Sequence, residues 1–308
     1  NSQGVERLYL PAPPDASGST ACVNKLRHTF TRLMTHINSR QIADPAGPVG
    51  IFDSGIGGLS ILQEIRKLMP NEELCYVADS AWMPYGEKPS AVVRDRSLKI
   101  ARFLVEKQGC KAIVIACNTA TGLAVDLLRE ELEVPVIAIE PAIKPAIERT
   151  KSGVIGVMAT PGTLSGEKFN RLKNRFSGDK RIISLPCPGL AKEIERGKLH
   201  AIRLRKLLTR FIAPFLEEDA DVIVLGCTHY PLVKPLINEI AGPAVQLVDS
   251  GEAVARQLHR KLEESGLRSP SAQEGRQRFW CSGKVDGCAS SLTSLSGNHH
   301  LHVEALPI

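Results

Sequence analysis

Two cysteines stand where apolar runs of the sequence give way to polar residues. Cys117 precedes Asn118-Thr119, and Cys227 precedes Thr228-His229. In an open parallel sheet, such positions lie beyond the carboxyl ends of the strands, where ligands bind. Each cysteine is expected at the start of the following helix, where the positive end of the helix dipole lowers the pKa of a thiol. The pattern therefore predicts two reactive thiols.

His229 lies two residues from Cys227 and is a candidate partner for its thiol. It is also a candidate metal ligand, but no further group at metal-ligand spacing is evident, so acid–base assistance is the favoured interpretation. The sequence has eight cysteines and no Cys-x-x-Cys pair, which argues against a zinc ribbon and a thioredoxin-like motif. A thiol-based metal or redox binding protein is the alternative class. Three other cysteines are interpreted as buried structural residues, namely Cys75, Cys110 and Cys281.

A glycine-rich segment, Asp-Ser-Gly-Ile-Gly-Gly at 53–58, follows an apolar run and precedes a helical pattern. Its backbone N–H groups could hold a carboxylate or a phosphate. The segment is not Gly-x-Gly-x-x-Gly, so a dinucleotide site is not predicted. Two interpretations of Asp53 stay open, a carboxylate of the site and a helix N-cap. The turn-forming residues at 83–88 read by themselves as an ordinary loop.

Short apolar runs alternate with amphipathic segments from residue 49 onward, which predicts an α/β fold with mainly parallel sheets. The runs are continuous rather than alternating, as expected for strands that helices cover on both faces. The predicted strands are Val49–Phe52, Leu74–Ala78, Ala112–Ala116, Val134–Ile139, Val154–Met158, Ile182–Leu185, Val222–Leu225 and Val245–Val248, with a further strand near Phe279–Ser282. The predicted helices are Leu59–Met69, Ala91–Lys107, Ala120–Glu131, Arg203–Leu216 and Gly251–Glu264.

A weak internal repeat divides this region. The stretch around Asp53 resembles the stretch around Thr160, and each is followed by a strand that ends at one of the two cysteines. The interval is 64 positions from Asp53 to Cys117 and 67 positions from Thr160 to Cys227. We therefore predict two similar α/β domains that face each other, related by a pseudo-twofold axis.

The predicted first domain comprises residues 48–144 together with 247–308, and the second comprises residues 145–246. Residues 1–47 differ from the rest because they are rich in Pro and Gly and contain one helical pattern, Lys25–Ile37. We predict that this leader is flexible and dispensable for the chemistry.

The composition limits the class of protein. The chain has 308 residues, of which 43% are hydrophobic and 23% are charged, so it is neither a disordered chain nor a coiled coil. No apolar run approaches the roughly 18–20 residues that span a bilayer, so no membrane partner is predicted. The net charge of +6 comes without a Lys/Arg block, so no nucleic-acid partner is predicted. The small number of cysteines and the lack of a secretory signal pattern favour a cytoplasmic location.

Taken together, these motifs resemble those of the glutamate racemases, a family of cofactor-independent enzymes. The resemblance covers about residues 48–265 and includes both cysteine motifs. Its motifs are Phe-Asp-Ser-Gly-Ile-Gly-Gly-Leu at 52–59, Pro-Tyr-Gly at 84–86, Ala-Cys-Asn-Thr-Ala at 116–120, Leu-Gly-Cys-Thr-His-Tyr-Pro at 225–231 and Val-Asp-Ser-Gly at 248–251.

The resemblance implies two α/β domains with the active site in the interdomain cleft, and it implies a role for each matching residue. Cys117 and Cys227 would be the two acid/base groups on opposite faces of the substrate α-carbon, with Asp53 and His229 as their assistants. The substrate-contacting residues would be Asp53, Ser54, Tyr85, Gly86, Asn118, Thr119, Thr228 and His229. Asp79 and Glu195 match polar positions of the family in or near the site and are expected to assist.

The resemblance also implies an activity. The expected reaction is the interconversion of L-glutamate and D-glutamate, without cofactor or metal, to supply D-glutamate for peptidoglycan. A racemase that acts on aspartate or a hydantoin is the nearest alternative. Glu87-Lys88 and the long leader are more similar to the enterobacterial members, so a muramyl precursor is an expected regulator. The sequence leaves the oligomeric state open, a homodimer included.

Overall fold

The computed structural model describes residues 43–197, 199, 201–296 and 301–308. The predicted helix Lys25–Ile37 and all but the last residues of the predicted leader lie outside the described residues. Within the described part, Ala43 packs against the core, and Lys111 Nζ donates a hydrogen bond to the carbonyl of Pro45. Residues that directly precede the first strand are therefore attached to the fold.

In the described part of the chain, ten strands form two sheets, and every strand pair is parallel. The six-stranded first sheet has the order β10-β9-β2-β1-β3-β4, and the four-stranded second sheet has the order β6-β5-β7-β8. The strands are β1 Val49–Asp53, β2 Leu74–Ala78, β3 Ala112–Ile115, β4 Val136–Ala138, β5 Val154–Ala159, β6 Arg181–Pro186, β7 Val222–Gly226, β8 Gln246–Val248, β9 Gln277–Cys281 and β10 Val303–Ala305. The predicted α/β class with mainly parallel sheets is confirmed.

Continuous apolar runs become strands because both faces of each sheet are covered. β1, β2 and β7 are buried at every position, and core clusters lie on either side of each sheet. Each predicted run contains a strand, and the strand expected near the C-terminus is β9. The sequence did not predict β10, because two of its three residues are exposed and leave no apolar run. Burial on both faces is therefore the property that the sequence signals.

Eleven α-helices are described between and after these strands. They are α1 Leu59–Leu68, α2 Ser90–Arg102, α3 Asn118–Glu131, α4 Ile143–Arg149, α5 Pro161–Leu164, α6 Glu167–Phe176, α7 Leu190–Glu195, α8 Ile202–Glu217, α9 Lys234–Ala241, α10 Gly251–Glu264 and α11 Val285–Ser296. The five predicted helices correspond to α1, α2, α3, α8 and α10. The predicted helix Ala91–Lys107 is interrupted, because α2 ends at Arg102 and a π-helical turn continues to Lys107. Of the six others, four have eight residues or fewer, namely α4, α5, α7 and α9. α6 carries an apolar stripe of Phe169, Leu172 and Phe176, which the prediction overlooked.

The described chain from Ala43 to Ile308 forms one compact unit. The strands of each sheet lie within one predicted domain, except for β8. This strand belongs to the second sheet, but only Gln246 lies in the predicted second domain, and the other two residues of β8 lie in the predicted first domain. The division into two domains stays a prediction. Cys75, Cys110 and Cys281 are free and buried, as the sequence indicated. No helix among the described residues is long and apolar enough to cross a membrane.

Candidate active site

One small cavity is lined by residues that follow strands of both sheets. Ser54 follows β1, Cys117 follows β3, Thr160 follows β5 and Cys227 follows β7, so the carboxyl edges of the two sheets meet there. The lining residues are Ser54, Pro84, Tyr85, Gly86, Cys117, Asn118, Thr119, Thr160, Thr163, Ala191, Cys227, Thr228 and His229. The residues singled out in the sequence are thus brought together, although as many as 175 positions separate Asp53 from Thr228.

Three predicted site carboxylates do not line the cavity but bond to residues that do. Asp53 accepts a hydrogen bond from Thr228, Asp79 accepts one from Tyr85, and Glu195 pairs with His229. The sequence analysis missed the contributions of Thr160, Thr163 and Ala191 to the lining. Thr160 had a signal, since the internal repeat aligned it with Asp53. Thr163 and Ala191 lie on short helices that no pattern announced.

Cys117 is the N-cap residue of α3, as predicted, but its pKa is not lowered. The thiolate would accept a hydrogen bond from Ala120 N–H at 3.5 Å, and the Ser54 hydroxyl lies 3.8 Å from Sγ. Burial raises the pKa of the Cys117 thiol, and the nearby charge of Asp53 raises it further. These two effects outweigh the helix N-terminus, so the predicted lowering of the pKa is wrong for Cys117. The group is a protonated thiol at neutral pH in this structure.

Cys227 has a different environment. A turn follows it, a 3₁₀ helix begins only at Tyr230 and α9 begins at Lys234, so the predicted placement at a helix start is wrong for this cysteine. The ring of His229 lies beside it instead, with Sγ 3.9 Å from Nδ1. His229, and not a helix N-terminus, is therefore the neighbour of the Cys227 thiol.

His229 and Glu195 form a buried ion pair. His229 Nε2 lies 2.7 Å from Glu195 Oε2, and only 1% of His229 is exposed. Burial alone would lower the pKa of His229, but the hydrogen bonds to Cys227 and Glu195 outweigh it and raise the pKa well above its ordinary value. Burial likewise opposes ionisation of Glu195, yet His229 lowers its pKa overall. Both shifts favour a charged imidazolium beside the Cys227 sulfur.

Glu195 is also held from the side of the first sheet. Its carboxylate accepts hydrogen bonds from Ile56 N–H at 3.0 Å and from the Ser80 hydroxyl at 3.1 Å. Three partners satisfy both carboxylate oxygens, which fixes the imidazole of His229 in one orientation. Glu195 is therefore a positioning group for His229.

Asp53 is completely buried at the end of β1. Its carboxylate accepts hydrogen bonds from Gly55 and Gly58 N–H and from the Thr228 hydroxyl, at 3.1–3.3 Å. Burial raises its pKa, and the charge of His229 partly offsets that rise. Gly58 is the N-cap residue of α1, so Asp53 supports the start of this helix through a backbone N–H rather than as the N-cap itself.

Gly55 and Gly57 leave room for the side chains of Glu195 and His229. A Cβ on Gly57 would lie 2.4 Å from Nδ1 of His229, and one on Gly55 would lie 2.6 Å from a Glu195 oxygen. The sequence analysis expected this segment to bring backbone close to a ligand. In the structure, the ion pair of His229 and Glu195 occupies that space.

Asp79 holds the loop of Tyr85 in place. The Tyr85 hydroxyl donates to Asp79 Oδ2 at 2.5 Å, and Arg96 donates to both oxygens at 2.8 and 3.1 Å. The guanidinium of Arg96 also lies over the ring of Trp82. Sequence reasoning missed Arg96, because nothing local on α2 signals a partner 17 positions away. Asp79 therefore acts on the cavity through Tyr85.

Three threonine hydroxyls join the two sides of the cavity. Thr119 Oγ1 lies 3.0 Å from Thr160 Oγ1 and 3.3 Å from Thr163 Oγ1, and the latter two are 3.0 Å apart. Such hydroxyls can rotate to donate to a carboxylate. Among the described residues, no group of three or more His, Cys, Asp or Glu side chains is arranged to hold a metal ion. The cavity thus offers thiols, an imidazolium and neutral hydrogen-bond donors.

The sequence matches the family model described as Asp/Glu/Hydantoin racemase over residues 59–258. A glutamate racemase of Stutzerimonas stutzeri is 48% identical over 267 residues, which cover 86% of this chain and 100% of that protein. A glutamate racemase of Pseudomonas aeruginosa is 49% identical over 258 residues, which cover 83% of this chain and 97% of that protein.

Solved structures show the same similarity. A glutamate racemase isoform from Bacillus anthracis superimposes with a TM-score of 0.77 at 30% identity, covering 85% of this chain and 98% of that one. The Escherichia coli glutamate racemase, in complex with L-glutamate and the activator UDP-MurNAc-ala, gives a TM-score of 0.74 at 33% identity. That match covers 84% of this chain and 97% of the E. coli chain.

Proposed function

Because this chain belongs to the glutamate racemases of the Asp/Glu/hydantoin racemase family, we propose that Cys117 and Cys227 invert the α-carbon of glutamate by acid/base catalysis. One thiolate removes the α-proton from one face, and the thiol opposite returns a proton to the other face. The observation that supports this most is the placement of the two cysteines in one cavity, just beyond strands of different sheets.

The two thiols differ in what assists them. A protonated His229, 3.9 Å from Cys227 and ion-paired with Glu195, can hydrogen-bond to a thiolate at Cys227 and exchange a proton with it. Cys117 is protonated in this structure and lies near the buried carboxylate of Asp53, which can accept its proton. We propose that this state is ready for L-glutamate, with Cys227 as base and Cys117 as acid. The opposite protonation state serves D-glutamate.

The substrate is held by neutral groups in this proposal. Among the residues that the structure describes, no arginine or lysine lines the cavity, so Ser54, Asn118, Thr119 and Thr228 supply the donors for the two carboxylates. Fixed donors in a cavity that excludes water stabilise developing negative charge strongly. The proposed steps need no cofactor or metal.

The product and its control follow from the relatives. The E. coli structure contains an activator, UDP-MurNAc-ala, and we propose that a muramyl precursor also regulates this chain. D-Glutamate would then supply peptidoglycan synthesis. A cytoplasmic location and a homodimer stay predictions.

The decisive experiment is circular dichroism of purified protein with L-glutamate, D-glutamate or L-aspartate, after dialysis against a chelator and without added cofactor. Loss of the signal is expected with both enantiomers of glutamate and not with aspartate. Activity that required a metal or pyridoxal phosphate would contradict the proposal, and a tightly bound stoichiometric metal would favour the binding-protein alternative.

Changing Glu195 to Gln tests the ion pair. Without the carboxylate charge, the pKa of His229 falls, so the imidazolium is lost at a lower pH than in the wild type. We expect kcat/KM to fall by about 10–100-fold and the alkaline limb of its pH profile to move to lower pH. The measurement is kcat/KM in both directions across pH.

Glu193→Gln is the matched control for this variant. Glu193 lies on the same helix, and its side chain is 9% exposed against 18% for Glu195, but it pairs with Arg196 at 2.8 Å. Its replacement should leave the pH profile unchanged. An unaltered profile in the Glu195 variant would show that the ion pair has no part in proton transfer.

A further inference from the structure

A second cavity adjoins the catalytic one. It shares Asn118 and Thr163 with the first and extends between α3 and α6, with apolar walls that include Ile139, Phe169 and Leu172. Lys168 also lines it, but its ammonium group is paired with Asp126 at 2.7 Å, so the cavity presents no free cation from this lysine to an anionic ligand.

Two buried oxygens at this cavity have no partner in the part of the chain that the structure describes. They are Oδ1 of Asn118 and Oγ1 of Thr121, in residues that are only 7% and 5% exposed. The two residues are three positions apart on α3, so they share one face of the helix. Buried polar atoms are almost always satisfied by protein or by ordered water.

The volume of the cavity limits which molecules can occupy it. It leaves about 30 Å³ for the centres of water molecules, whereas one water needs roughly 10–15 Å³. Two or three waters therefore fit. The exposed residue Glu140 also lines the cavity, but the unpartnered oxygens are the neutral ones of Asn118 and Thr121, which are usual partners of buried water.

We propose that this cavity is a buried water site, and that its waters fix the amide orientation of Asn118. Water donates to Asn118 Oδ1 and bonds to the Thr121 hydroxyl, which leaves the amide N–H groups of Asn118 for a substrate carboxylate. The proposal rests on the proposed function where it places Asn118 against glutamate. Thr121 is then a positioning residue, which touches the substrate only through water and Asn118.

The experiment compares Thr121→Val with Thr121→Ser and the wild type. High-resolution crystal structures should show ordered waters within hydrogen-bond distance of Asn118 Oδ1 in the wild type and in Thr121→Ser. At least one of these waters should be absent from Thr121→Val. KM for glutamate should rise by about five- to tenfold in Thr121→Val, as expected for one lost hydrogen bond. Its kcat should stay within about twofold, and Thr121→Ser should restore KM.

A dry cavity in the wild type would overturn the proposal, and so would an unchanged KM in a folded Thr121→Val variant. If Thr121→Val does not fold, the wild-type structure and the KM of Thr121→Ser still decide the question. A failure of the proposed function would instead appear as wild-type protein that does not racemise glutamate, while the crystallographic readout stays valid.

Discussion

Replacing either active-site thiol by alanine should abolish racemisation in both directions. Cys117→Ala removes the acid or base on one face of the α-carbon, and Cys227→Ala removes the one on the other face. Inversion needs both groups in every turnover, so each variant should lose at least about 10²–10⁴-fold in rate. The measurement is the change of optical rotation from each enantiomer of glutamate.

The two variants should differ with a glutamate analogue that carries a leaving group on the β-carbon. Elimination needs only the thiol that removes the α-proton. Cys117→Ala should therefore still eliminate from the L-form, through Cys227, and Cys227→Ala from the D-form, through Cys117. Cys187→Ala is the control, because Cys187 is also buried beside the second sheet but does not line the catalytic cavity. If both variants lose both eliminations, or neither variant loses racemisation of glutamate, the two-thiol assignment is wrong.

A single methyl group at Gly57 should disable one of the two thiols. The Cβ of Gly57→Ala would lie 2.4 Å from Nδ1 of His229, closer than real contacts allow, so the imidazole must move. Movement breaks the 2.7 Å contact with Glu195 and the approach to Cys227. We expect kcat to fall by about 100-fold, the scale of one acid–base group.

The matched control is Gly287→Ala on α11, where an added Cβ meets nothing within 4 Å. That variant should keep full activity and gain about 0.5–1 kcal/mol of stability, because alanine is the better helix former. Thermal unfolding separates misfolding from a local effect. Elimination from the D-form of the β-substituted analogue should persist in Gly57→Ala, since it depends on Cys117. Equal loss from both forms would mean that the clash is not confined to His229.

The sequence was sufficient for the parts of the molecule that depend on local pattern. β1 and β7 were predictable because every one of their residues is buried, and the residues after them follow from strand direction alone. Arg96 was not predictable, because its partner Asp79 is chosen by tertiary packing and α2 carries no local mark of it.

The pKa of the Cys117 thiol could not be predicted from the sequence for a similar reason. The position at a helix N-terminus predicted a lower pKa for Cys117. Burial and the nearby charge of Asp53 raise this pKa instead. Glycines 55 and 57 showed that space was needed, and only the structure shows that His229 and Glu195 fill it. Composition and spacing thus identify which residues meet, while the protonation of each group depends on distances between distant parts of the chain.

The placement of Glu195 has a consequence for the timing of turnover. The catalytic cavity leaves only about 10 Å³ for the centres of water molecules, roughly one water, so glutamate must enter through an opened form. An opening that separates the two sheets would break the bonds that Glu195 accepts from Ile56 and Ser80. It would also break the bond from Thr228 to Asp53. The ion pair of Glu195 with His229 would persist, because both residues lie on the side of the second sheet. We therefore expect substrate exchange, which depends on motions of microseconds to milliseconds, to limit the rate of turnover. Added viscosity should then slow turnover.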